Sequence, residues 1–181
     1  MIKWCLPPYL TTLANINKQD LTLVAEKISE WVNQKFENTH CYLIEVKISG
    51  QNTKIQVLVD CDNGISIDTC AQLSRYLEHQ LEQNSMVPDN YILEVSSPGI
   101  GYPFKFQRQY SKSINRNIEV TLHNGTIVEG VLQKVSDTDI TIAKKTGKTN
   151  KLKPGQKSKE EETPVTLPFS EIKTAKEKIV F

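Results

Sequence analysis

The chain has 181 residues, of which 38% are hydrophobic and 24% charged, and its formal net charge is +1. This balance excludes wholesale disorder and leaves room for one large domain or two small ones with a real core. No stretch approaches the ~18 uninterrupted apolar residues of a membrane span, and Pro7 and Pro8 cut the first apolar run too short for a secretory leader.

Residues 1–16 hold two prolines and no sustained period, and read as a loose tail. Leu21, Val24, Ala25, Ile28, Trp31, Val32 and Phe36 then recur at three- and four-residue steps, which predicts a helix with one apolar face, capped by Asn17 or Asp20. From Cys41 the period becomes two. Tyr42, Ile44, Val46 and Ile48 alternate with Leu43, Glu45 and Lys47, and Ile55, Val57 and Val59 alternate after Gly50-Gln51-Asn52. This predicts a hairpin over 41–60, closed by the turn chemistry of Asp62-Asn63-Gly64. Asp68 is the expected N-cap of a second helix, with Ile67 as a staple and Cys70, Leu73, Leu77 and Leu81 on its buried side. Tyr91–Val95 reads as a third strand. Residues 17–96 are therefore expected to form an α-β-β-α-β domain, with the helices on one face of a small sheet.

Ser96-Ser97-Pro98-Gly99 interrupts the pattern and predicts a tight type II turn at the domain boundary, with residues 97–103 as the linker. A short helix is expected within Phe104–Ser113. The rest of 104–181 is short strands: 117–122, then Asn124-Gly125 as a hairpin turn, then 126–135 with Gly130 at a bend, then Ile140–Ala143, 164–168 and 174–181. Five such strands predict a small closed barrel, so the fold class is α+β. Residues 144–159 carry seven lysines and no acid, and belong to a long basic loop, 144–163.

The near-zero charge hides a division. Residues 1–96 hold 7 Lys+Arg against 12 Asp+Glu, a net −5, and residues 97–181 hold 15 against 9, a net +6. The basic half is the candidate for nucleic acid, with Lys144, Lys145, Lys148, Lys151 and Lys153 as the expected phosphate contacts. Cys5, Cys41, Cys61 and Cys70 include no C-x-x-C pair, which predicts reduced thiols in a cytoplasmic protein. Asp60-Cys61-Asp62 after an apolar strand matches the start of a metal-dependent phosphatase of the haloacid dehalogenase type. The hydroxyl and acidic pair that such enzymes need do not follow. There is no glycine-rich phosphate loop and no metal-binding histidine motif, so an enzyme, a metal and a cofactor are not expected.

The string Tyr91-Ile92-Leu93-Glu94-Val95-Ser96-Ser97-Pro98-Gly99-Ile100 resembles the signature of the bacterial ribosome maturation factor RimP family. Val57–Asp60, the run Gly64–Ser74 and the hairpin Val128-Glu129-Gly130-Val131-Leu132 extend the resemblance to residues 18–181 outside the lysine loop. It implies a KH-like N-terminal domain, a C-terminal Sm/SH3-like barrel, and a non-catalytic factor for assembly of the small (30S) ribosomal subunit. The partners it implies are the free small subunit, 16S rRNA and a ribosomal protein of the uS12 family, met by a cytoplasmic monomer. The family usually follows the signature with an apolar residue, an acid, an arginine and a proline, where this chain has Ile100-Gly101-Tyr102-Pro103. The rival within binding proteins is an Sm-like protein acting on other RNAs. The rival outside them is the phosphatase at Asp60 and Asp62.

Overall fold

The structure, a computed structural model, describes residues 18–49, 54–88, 90–145 and 162–179. The expected tail and the candidate cap Asn17 lie outside these residues. The chain divides into two compact units, Met1–Pro98 and Gly99–Phe181.

The first unit runs α1 (Lys18–Lys35), β1 (Cys41–Ser49), β2 (Lys54–Cys61), α2 (Ile67–Gln83) and β3 (Ile92–Ser96). Its sheet has the order β1-β2-β3, with β1 antiparallel and β3 parallel to the central strand. Parallel neighbours need a crossover, and α2 supplies it. Both helices cover one face. Val24, Ile28, Val32 and Phe36 of α1 and Leu73, Leu77 and Leu81 of α2 close on Ile55, Val57 and Val59 of β2. Each such side chain, fully buried, contributes about 1.5–3 kcal/mol of hydrophobic stabilisation, so this cluster holds the unit together.

Three local expectations are corrected. The alternation read along β1 changes phase, because the register with β2 slips between Leu43 and Glu45. Cys41 and Leu43 pack toward the helices before this bulge, and Val46 and Ile48 after it, so Tyr42 does not share their face. Asp20 lies inside α1 rather than capping it. In α2 the cap is Ser66, whose hydroxyl accepts from the Thr69 amide at 3.1 Å. Asp68 instead sits in the first turn, where its charge suits the positive end of the helix dipole. Ile67 is 88% exposed and staples nothing.

The fourth correction concerns the cysteines. Cys41 and Cys61 face each other across β1 and β2 and are joined in a disulfide, while Cys70 is free and half-buried. Scattered spacing hid the pair, but the hairpin register puts the two residues on one cross-strand position. Burial pushes the Cys70 thiol above its ordinary pKa.

The second unit runs α3 (Gln107–Lys112), β4 (Asn117–Leu122), β5 (Ile127–Val135), β6 (Asp139–Lys145), β7 (Glu162–Pro168), a 3-10 turn (Phe169–Glu171) and β8 (Ile172–Glu177). All its ladders are antiparallel, in the order β7-β6-β5-β4-β8. Ile118, Val120, Val128, Leu132, Ile140, Ile142, Leu167 and Ala175 meet in its core, with Tyr110 of α3. The five expected strands are present. Among the described residues the ladders make one five-stranded antiparallel sheet with β7 and β8 at its ends.

The β4–β5 turn differs in detail from a two-residue hairpin. Leu122 donates its amide to the Thr126 carbonyl at 2.9 Å, enclosing His123, Asn124 and Gly125, and only Gly125 has positive φ, +84°. A three-residue loop ending in a left-handed glycine gives that pattern. Asn124 contributes its side-chain oxygen, which accepts from the Thr126 amide at 2.8 Å.

Candidate nucleic-acid interface

The basic loop begins where β6 ends. β6 and β7 pair from Asp139↔Pro168 to Lys145↔Glu162, so residues 146–161 join neighbouring strands whose ends are pinned together. Lys144 is exposed at this end of the ladder, and Lys145 lies in register with Glu162. Lys148, Lys151 and Lys153 lie outside the described residues.

Not all of the second unit's positive charge is disposable. Lys176 holds Glu119 at 2.8 Å, and Lys178 lies 2.5 Å from Glu129 and 3.7 Å from Glu119. Arg116 holds Glu177 at 3.0 Å. The hydrogen bond from Lys176, aided by both lysine charges, keeps the Glu119 carboxyl below its usual pKa. These three cations are paired with carboxylates of β4, β5 and β8.

Before β4 the chain forms an aromatic cluster that periodicity did not reveal. Phe104 and Tyr110 meet edge to face with centroids 4.8 Å apart, and Tyr110 and Phe169 do so at 5.3 Å. Gln109, which is buried, fixes the entry to α3. Its side-chain oxygen accepts from the Lys105 amide at 2.7 Å and the Phe106 amide at 2.9 Å. The sequence signal was the interleaving of aromatic and basic residues in Phe104-Lys105-Phe106-Gln107-Arg108.

Burial pushes the Tyr110 hydroxyl from 10.0 up to about 12. The unfolded chain ionises this group at the lower value, so its contribution to stability is complete below pH ~10 and is lost as pH rises toward ~12. In an alkaline titration, Tyr110 should therefore ionise late, and the second unit should lose stability as it does. Ionisation of all the tyrosines in a single step near pH ~10, with the fold intact, contradicts this.

At the unit boundary, Ser96 closes β3 opposite Leu58 of β2. The expected tight turn does not fall on Ser97-Pro98-Gly99, which carry neither turn nor bend; the turn lies one step on, at Ile100 and Gly101, and Gly99 and Gly101 have φ +73° and +88°.

Asp60 and Asp62 sit in different surroundings. The Asp60 side chain is buried, accepting from the Cys61 amide at 2.8 Å and, over a longer 3.5 Å, from the Tyr42 hydroxyl. Asp62 sits in the exit turn, 4.0 Å from His40. The described residues contain no cluster of His, Cys, Asp or Glu able to hold a metal ion. None of the described helices is long and apolar enough to cross a membrane.

Comparison with known proteins extends this picture. The model of the RimP N-terminal domain matches residues 27–101, a span that ends just beyond the Ser-Ser-Pro-Gly run. A ribosome maturation factor RimP of Cytophaga hutchinsonii is 34% identical over 142 residues, covering 75% of this chain and 83% of that protein. The RimP of Christiangramia forsetii is 31% identical over 164 residues, covering 91% of this chain and 99% of its own length. That of Pelodictyon phaeoclathratiforme is 38% identical over 135 residues, covering 69% and 75%. With matches of this extent running through both units, the chain belongs to the ribosome maturation factor RimP family.

Proposed function

We propose that the protein is a cytoplasmic maturation factor for the small ribosomal subunit, acting by binding and without bond chemistry. The observation that carries this reading is the near full-length match to proteins named ribosome maturation factor, which spans the acidic and the basic unit together. An Sm-like binder of other RNAs would not require the α-β-β-α-β unit. The first unit is read as KH-like and the second as an Sm-like barrel. A strand order in which β8 leaves β7 through a 3-10 turn and returns to β4 supports the second assignment. A net charge of +6 over residues 97–181 suits 16S rRNA, and −5 over residues 1–96 suits a basic ribosomal protein such as one of the uS12 family.

Within this reading the lysines from Lys144 to Lys153 contact phosphate, and Ser96–Gly99 is the segment that joins the two units. Lysine supplies point charge with little base discrimination, so binding should depend strongly on salt and weakly on sequence. Replacing Lys144, Lys145, Lys148 and Lys151 together with glutamine should weaken binding to small subunits or 16S rRNA. The slope of log affinity against log salt should flatten by about 1–2, since each phosphate neutralised contributes about 0.7–0.9. Exposed substitutions of this kind usually shift stability by less than about 0.5 kcal/mol. Binding curves at several salt concentrations decide the matter, and an unchanged slope would show that the loop touches no phosphate.

A further inference from the structure

The aromatic cluster lies beneath a cleft of about 190 Å³ whose lining includes Phe104, Lys105, Phe106, Tyr110, Phe169 and Lys173. We propose that this cleft receives a single unpaired RNA nucleobase, stacked on Phe106, with Lys105 and Lys173 on the phosphates to either side.

Four observations converge on that ligand. The first is size. Pockets for drug-sized ligands and cofactors run to about 300–1,000 Å³, so a cleft of about 190 Å³ suits one planar ring system rather than an extended molecule. The second is rigidity. The edge-to-face contacts of Tyr110 with Phe104 and Phe169 hold the floor, and the Phe104 amide is tied to the Ala175 carbonyl at 2.8 Å. A preformed floor costs little ordering on binding. The third is Phe106, which is 44% exposed although it is a large apolar ring beside the packed cluster. The fourth is charge. The lining includes two lysines, both exposed, and no carboxylate, within the half of the chain that carries +6. Aromatic rings set among cations form the general platform for single-stranded nucleic acid, because every base has a π face and every nucleotide a phosphate.

The second cleft of this unit, between Pro103, Glu119 and Lys176, lacks these features. It contains no aromatic ring.

The base site is separate from the lysine loop and gives contacts of a different kind. It rests on the proposed function only for the choice of RNA as the polymer. The test uses a short single-stranded oligoribonucleotide with one 2-aminopurine flanked by uridines, titrated with the full chain. Stacking should quench the 2-aminopurine fluorescence. Phe106→Ala and Phe106→Leu should each bind about 5- to 100-fold more weakly, the range of one lost base stack, while Phe106→Trp should restore both quenching and affinity. The Lys105→Gln, Lys173→Gln double variant should keep the quenching at saturation and lower the salt slope by about 1.4, as two single-strand phosphate contacts require. Unchanged affinity in Phe106→Ala overturns the proposal. So does equal binding by Phe106→Leu and Phe106→Trp, which would mark the cleft as a seat for an apolar protein side chain. Wild-type protein that binds small subunits yet leaves the fluorophore unquenched also overturns it, and leaves the maturation reading standing. Quenching that depends on Phe106 without any subunit binding would do the reverse.

Discussion

A Gly130→Ala variant is expected to lose about 1–3 kcal/mol of stability in the second unit, the usual cost of forcing atoms into a packed interior. Gly130 is buried in β5, in register with Lys144 of β6. A Cβ built on it would overlap the Ala143 carbonyl oxygen and come within 2.8 Å of both the carbonyl carbon and Ile142 Cγ2. The carbonyl belongs to the adjoining strand and cannot withdraw without loosening the β5–β6 ladder. An opposing effect exists, because removing a glycine stiffens the unfolded chain and is worth about 0.4–1 kcal/mol. The overlap with fixed backbone outweighs it. Gly130→Val, with two more methyl groups at the same point, should be worse. Urea unfolding of the variants measures the loss, and a Gly130→Ala midpoint at or above the wild-type value would show that the strands can part without cost.

The second large effect concerns Cys41 and Cys61. Their bond closes a loop with a sequence separation of 20 residues. By chain entropy such a cross-link stabilises the folded state by about 3 kcal/mol. Reduced protein, or the double variant Cys41→Ser, Cys61→Ser, should unfold at correspondingly lower urea. Adding reductant to the double variant should change nothing further. Equal stability of oxidised and reduced wild type would show that the register alone holds the two strands. Disulfides are rare in the cytoplasm, so reduced protein there would carry this penalty.

These two effects also mark where the sequence was legible and where it was not. The helices α1 and α2 announced themselves because Val24, Ile28, Val32 and Leu73, Leu77, Leu81 recur at helical steps and do bury together. The strands of the second unit were legible for a similar reason, with Ile118, Val120 and Leu122 at every second position of β4. What escaped was pairwise. A bulge at Ile44 carries no compositional mark, so the alternation of β1 was extended through a change of phase. The facing of Cys41 and Cys61 follows from hairpin register, which spacing between cysteines does not report. The role of Gly130 depends on a carbonyl in another strand, so its sequence neighbours suggested a bend where the structure shows a close approach. The lysine loop was plain from composition, while the cleft over Phe104, Tyr110 and Phe169 needed residues from both ends of the unit to meet. One of its halves, Phe104-Lys105-Phe106, could have been noticed as aromatic and basic residues interleaved.

The Ser66 cap shows a subtler limit. Both Ser66 and Asp68 are good capping residues, and composition cannot rank them. The hydroxyl of Ser66 reaches the Thr69 amide, and starting the helix there places Ile67 in solvent at 88% exposure.

The most direct measurement of the central claim is sedimentation of the purified protein with separated ribosomal subunits and with complete ribosomes at moderate salt. A small-subunit maturation factor should travel with free small subunits and much less with complete ribosomes, and its recovery should fall as salt rises. Equal recovery with large subunits, or none with small ones, would contradict it.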